Sequence, residues 1–121
     1  MSDPSFSIEP RSFAIAETSV SAVICPDRAD NRWDVTVILS RAPDLPPIQG
    51  RDVDAQLLDA RGSPLHVLER PQGVLAEFGG GLGSSATSLF RFQDSGVLPA
   101  ELLVSYQDQT ARFRVVSTGT D

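Results

Sequence analysis

Thr87-Ser-Leu-Phe-Arg-Phe92, Glu101-Leu-Leu-Val-Ser-Tyr106 and Ala111-Arg-Phe-Arg-Val-Val116 decide the fold of this chain. In each segment the large apolar residues stand at alternate positions: Phe90 and Phe92, then Leu102, Val104 and Tyr106, then Phe113 and Val115. A β-strand points successive side chains to opposite faces, so this spacing predicts three strands that each bury one face. Asp94-Ser-Gly96 and Gln107-Asp-Gln109 supply turn chemistry between them. A short antiparallel sheet with an uncovered apolar face is not stable alone, so the upstream chain must provide the cover.

Arg32-Trp-Asp-Val-Thr-Val-Ile-Leu-Ser40 answers that need, with Trp33, Val35, Val37 and Leu39 on one face. It carries the strongest period-two signal in the chain, and Phe78 adds a further ring. Upstream of it, Arg11 to Ala16 and Thr18 to Cys25 alternate as well, and read as one long strand bent near Glu17-Thr18. Arg41 to Gly50 holds Pro43, Pro46 and Pro47, which exclude a helix or a central strand and predict a crossing connection. Val53 to Leu57, Leu65 to Glu69 and Val74 to Phe78 are shorter strands, with Gly62 free to take a positive φ in the turn after Asp59. A helix over Asp52 to Leu68 competes with the first of these, because Val53, Gln56, Leu57 and Ala60 also fall at helical spacing. Residues 1–10 read as a loose N-terminal arm, with a short edge strand at Phe6 and Ile8 as the alternative. Residues 118–121 read as a frayed end. The expectation is therefore all-β, a single antiparallel β-sandwich of eight or nine strands over residues 11–117.

At 121 residues the chain has the length of one domain with one core. Nine prolines and nine glycines suit many short strands better than long helices. Its net charge of -6 gives no long-range attraction to nucleic acid or to anionic lipid, so neither is an expected partner. No basic start leads into an apolar run and no stretch is long enough to span a bilayer, which makes the cytoplasm the expected location. All ten basic residues are arginine, rigid forks suited to carboxylates.

Cys25 is the only cysteine, so no intrachain disulfide can form. It reads as a buried inert thiol. His66, also alone of its kind, cannot assemble a zinc site and reads as a surface residue. Asp27, Asp30, Asn31 and Asp34 are the densest group of oxygen donors, although their spacing is not that of an EF-hand. Turn chemistry accounts for them, and a calcium site at Asp27, Asp30 and Asp34 is the alternative. Gly79-Gly-Gly-Leu-Gly-Ser-Ser85 lacks the lysine of a phosphate loop and precedes a strand instead of a helix. It reads as a mobile loop in which Leu82 would anchor a bound partner. Arg91, Arg112 and Arg114 all have outward parity and would form a basic stripe if their strands were neighbours, facing a carboxylate-rich partner or Glu101 across the sheet.

The pattern Val53-x-Ala-x-Leu-Leu-Asp59-x-x-Gly62-x-Pro64-Leu65, followed by Leu102-x-Val-x-Tyr106 and Phe113-x-Val115, resembles the immunoglobulin-like and fibronectin-type modules of bacterial proteins. The likeness covers the second half of the chain, and the inter-sheet cysteine pair of many immunoglobulin domains is missing. What it implies is adhesion, spacing or assembly. The expected function is a non-catalytic protein-interaction or assembly module without a cofactor, binding a protein partner or a second copy of itself as a homodimer. The alternative is a small-ligand or Ca2+-binding sandwich that uses loops 27–34 and 79–85.

Overall fold

A computed structural model describes residues 6–15, 17–27, 29–42, 44, 53–69, 76–78, 84–94 and 96–117. Ten strands follow in chain order: β1 (Phe6–Glu9), β2 (Phe13–Ile15), β3 (Thr18–Asp27), β4 (Arg32–Arg41), β5 (Val53–Asp59), β6 (Val67–Glu69), β7 (Ala76–Phe78), β8 (Ser84–Gln93), β9 (Pro99–Tyr106) and β10 (Gln109–Ser117). They form two antiparallel sheets, one in the order β1-β10-β9-β5 and the other in the order β2-β3-β4-β8-β6. Strand β7 pairs with the start of β8 while β6 pairs with its end, so the two share one edge. The sheets thus offer nine strand positions, a β-sandwich with no helix among the described residues.

Alternation sets the core. In β4, Trp33, Val35, Val37 and Leu39 are buried, and β3 opposes them with Val20, Ala22 and Ile24 in register. Phe90 and Phe92 of β8 extend the same layer, pairing with Val35 and Trp33. The facing layer supplies Leu57, Leu102, Val104, Tyr106 and Phe113, all fully buried. At the two margins rings meet edge to face: Phe6 and Trp33 with centroids 4.9 Å apart, and Phe13 and Phe113 at 6.5 Å. The helix over Asp52 to Leu68 does not form, since Val53, Ala55 and Leu57 are buried in a strand while Asp54 and Gln56 face out.

Strand order corrects the reading of the deciding stretch. Its three strands are consecutive, but β8 lies in one sheet and β9 and β10 in the other. The segment after Gln93 crosses the sandwich, and Asp94 holds it by accepting from the Gly96 amide at 3.0 Å. Phe90 and Phe92 therefore help to cover Leu102 and Phe113 from across the core instead of lying beside them.

Two further differences concern the early chain. Phe6–Glu9 is an edge strand on β10, with Ile8 buried beside Val115, and so belongs to the sandwich. Pairing with β10 satisfies backbone groups that a loose arm would leave to water. Segments β2 and β3 are two antiparallel strands, because Glu17 takes φ 58° and reverses the chain where a bend was expected. Residues 118–121 lie outside the described residues.

At the far end of the sandwich, Gln107 and Asp108 both adopt positive φ, 49° and 64°, in the two-residue link between β9 and β10. A link of this kind matches the twist of its flanking strands, although glycine and asparagine enter it at lower cost. The conformation has a use here. Gln107 donates to the Tyr106 hydroxyl at 3.4 Å and accepts from Arg41 at 3.5 Å, while Arg41 reaches Thr18 at 3.0 Å and stacks over the Tyr106 ring. Arg41 is thereby a clasp between the two sheets.

Candidate functional site

The outer face of β3, β4, β8 and β6 is organised in rows by the strand register. One row runs Cys25, Asp34, Arg91, Glu69. Asp34 sits between two guanidiniums, with Arg32 Nε 3.1 Å and Arg91 Nε 3.6 Å from its Oδ1. All three atoms are shut away from water without hydrogen-bond alignment, so the attraction there is mainly Coulombic. Arg91 also donates to Glu69 across β8 and β6. Arg32 reaches back over the β3–β4 turn to Asp27 at 3.2 Å and Asp30 at 3.5 Å. Each contact is partly exposed and of the kind that contributes between nothing and about 1 kcal/mol. Together they fix the end of the sheet.

This ladder answers the calcium alternative. Asp27, Asp30 and Asp34 do converge, but on Arg32, and a cation there would meet a guanidinium. No set of three ligating side chains capable of holding a metal occurs among the described residues. Asp27 also accepts from the Asp30 amide at 3.3 Å, which is turn chemistry.

The basic stripe does not assemble. Arg91 belongs to β8, whereas Arg112 and Arg114 belong to β10 in the opposite sheet, so their outward faces point away from one another. Period-two reading gives the face of a strand without giving its neighbour. Each arginine has its own carboxylate: Arg112 pairs with Glu101 at 3.2 Å, and Arg114 with Glu9 at 3.4 Å. Leu82 and residues 79–83 of the glycine-rich loop lie outside the described residues, while Ser84 and Ser85 already belong to β8.

Cys25 is exposed, which overturns its reading as a buried thiol. The physical reason was available in its own strand, because Val20, Ala22 and Ile24 point inward and Cys25 has the opposite parity. A thiol-specific reagent is expected to modify one thiol per native chain at the same final extent as in denaturant; protection in the native state would contradict the exposed placement. His66 is exposed as expected and serves through its backbone, whose carbonyl accepts from the Gln93 amide at 2.8 Å.

Beyond the ladder, the same face changes character. The next three rows are Val23, Thr36, Leu89, then Ser21, Ile38, Thr87, then Ser19, Ser40, Ser85. None of these nine positions carries a charge. Val23 is 49% exposed and Ile38 36%, and Leu89 is half-buried. A broad uncharged area with apolar centres, bounded at one end by ion pairs, has the composition of an interface core with a polar rim. Reading single strands could not reveal it, because it arises only when the outward residues of β3, β4 and β8 are placed side by side.

No helix among the described residues is long and apolar enough to cross a membrane. Comparison with protein-family models, curated proteins and solved structures finds no match for this chain.

Proposed function

We propose that this chain is a non-catalytic protein-interaction or assembly module built on an immunoglobulin-like sandwich. Connectivity supports the fold relationship. Strands β3, β4, β8 and the shared β6/β7 edge correspond in order to strands A, B, E and D of the constant-type immunoglobulin arrangement, and β5, β9 and β10 to C, F and G. Strands β1 and β2 are then additions at two sheet edges. The lone exposed thiol of Cys25 fits a reducing compartment such as the cytoplasm.

The observation that carries the functional reading is the uncharged face of β3, β4 and β8. In a chain with 21% charged residues, nine adjacent outward positions without one call for an explanation. Depletion of charge is the compositional mark of the centre of a protein interface. By contrast, Arg91, Arg112 and Arg114 are each engaged by carboxylates within the chain.

The test is affinity capture from source-cell extract with three baits: wild type, Ile38→Arg, and an Arg91, Arg112 and Arg114 triple alanine variant. The reading expects bound proteins to disappear with Ile38→Arg and to persist with the triple variant. Capture that Ile38→Arg leaves unchanged, or capture no different from an empty matrix, would overturn it.

A further inference from the structure

We infer that the uncharged face of β3, β4 and β8 is the contact surface for a second copy of this chain, stacked face to face with its strands antiparallel about a twofold axis. This rests on the interaction reading above and names its partner. The argument is the symmetry of the four rows. A twofold axis lying in the contact plane, at right angles to the strands and midway between the Thr36 and Ile38 rows, exchanges the inner two rows and the outer two.

Under that operation Thr36 of one copy meets Ile38 of the other and Leu89 meets Thr87, each an apolar side chain against a methyl-bearing one, while Val23 meets the small Ser21 at the β3 side. The outer rows meet in the same way. Asp34 comes over Ser40 of the second copy, Arg91 over Ser85 and Cys25 over Ser19, following the register on β4, β8 and β3. A row of hydroxyls, able to donate or accept, thus covers a row of charges. The ladder holds four carboxylates, Asp27, Asp30, Asp34 and Glu69, against two guanidiniums, Arg32 and Arg91. Two such acidic ends would repel if parallel stacking laid one over the other. The antiparallel arrangement keeps them at opposite ends of the contact.

Size sets the strength. Strands β3, β4 and β8 have ten residues each and give a flat footprint of roughly 14 Å by 33 Å. With side-chain relief, two copies bury on the order of 1,000 Å², the lower bound for a specific contact. The dimer is therefore reversible, and dissociates on dilution.

Sedimentation velocity across a concentration series tests this with wild type, Ile38→Arg, Ser40→Arg, Ser40→Asp and, on the outer face of the other sheet, Leu103→Arg. Wild type and Leu103→Arg are expected to show the same monomer–dimer equilibrium, and Ile38→Arg only monomer. Ser40→Arg places a cation over the ladder of the second copy, whose four carboxylates outnumber its two guanidiniums, and tightens the dimer by roughly threefold to tenfold, since the axis creates two such contacts; Ser40→Asp weakens it by a similar factor. The three substituted positions, Ile38, Ser40 and Leu103, are at the surface or half-buried in strands, and circular dichroism checks that each of the four variants folds. Wild type remaining monomeric at several hundred micromolar, or a dimer insensitive to Ile38 and Ser40, would overturn the proposal. In either case, capture of another protein that Ile38→Arg abolishes would leave the interaction reading standing and remove only the second copy as partner. Capture unaffected by that substitution would remove both.

Discussion

Phe113→Ala is expected to lower the free energy of unfolding by about 3 to 5 kcal/mol, the range for truncating a buried phenylalanine. Phe113 is fully buried at the centre of β10 and opposes Leu102, itself fully buried, on β9. Its ring also meets Phe13 edge to face, so truncation removes the ring contact that Phe13 of β2 makes at that margin. Because domains of this size are stable by about 5 to 15 kcal/mol, the loss removes a large share of the total. Urea unfolding followed by circular dichroism measures it through the transition midpoint. A change below about 1 kcal/mol would mean that the ring does not pack where it is placed. Phe113→Leu should retain most of the stability, which separates packing from a failure to fold.

The second large effect is at Trp33. Trp33→Ala removes the biggest side chain of the β3–β4–β8 layer, 3% exposed and in contact with Phe6, and should cost about 3 to 5 kcal/mol. Trp33→Phe behaves differently. The indole Nε1 is buried and has no hydrogen-bond partner among the described residues, and a donor left in that state costs about 1 to 3 kcal/mol. Phenylalanine discards that donor together with part of the ring, and the two terms oppose one another. The net change is expected within about 1 kcal/mol of zero. Denaturant titrations of both variants, read by far-ultraviolet circular dichroism, decide it. A loss for Trp33→Phe as large as that for Trp33→Ala would show that the indole nitrogen does make a bond in solution.

How far the sequence carries can be followed residue by residue. Which side of the longer strands is buried is legible in the sequence: Phe90, Phe92, Leu102, Val104, Tyr106, Phe113 and Val115 are all in the core, as are Trp33, Val35, Val37 and Leu39, while the side chain of Phe78 lies outside what is described. Alternation reports the face because the side-chain period of a strand is fixed at two. It carries no information about neighbours. Arg91 was therefore grouped with Arg112 and Arg114, although a crossing after Gln93 puts a whole core between them. Glu101, a candidate partner for the stripe as a whole, meets Arg112 because β9 and β10 form a tight hairpin, where adjacency in sequence becomes adjacency in space. The placement of Cys25 failed for a different reason. The general preference of cysteine for the interior points one way and the inward parity of Val20, Ala22 and Ile24 the other, and parity decides. The uncharged face needed three strands in the right order before it existed as a surface at all.

One pairing has a consequence in time. Glu9 of β1 and Arg114 of β10 are bonded across a separation of 105 residues, and Ile8 lies opposite Val115. On a translating ribosome the first strand thus waits for almost the last, about 5 to 20 s at ordinary elongation rates. The β3–β4 hairpin, by contrast, can close as soon as it emerges. Until β8 emerges, the hairpin's apolar face has neither that strand beside it nor the completed other sheet above it. Early life for this chain is therefore a period of exposed, half-built sheet, in which a chaperone or a neighbouring nascent copy could reach surfaces that the finished molecule hides.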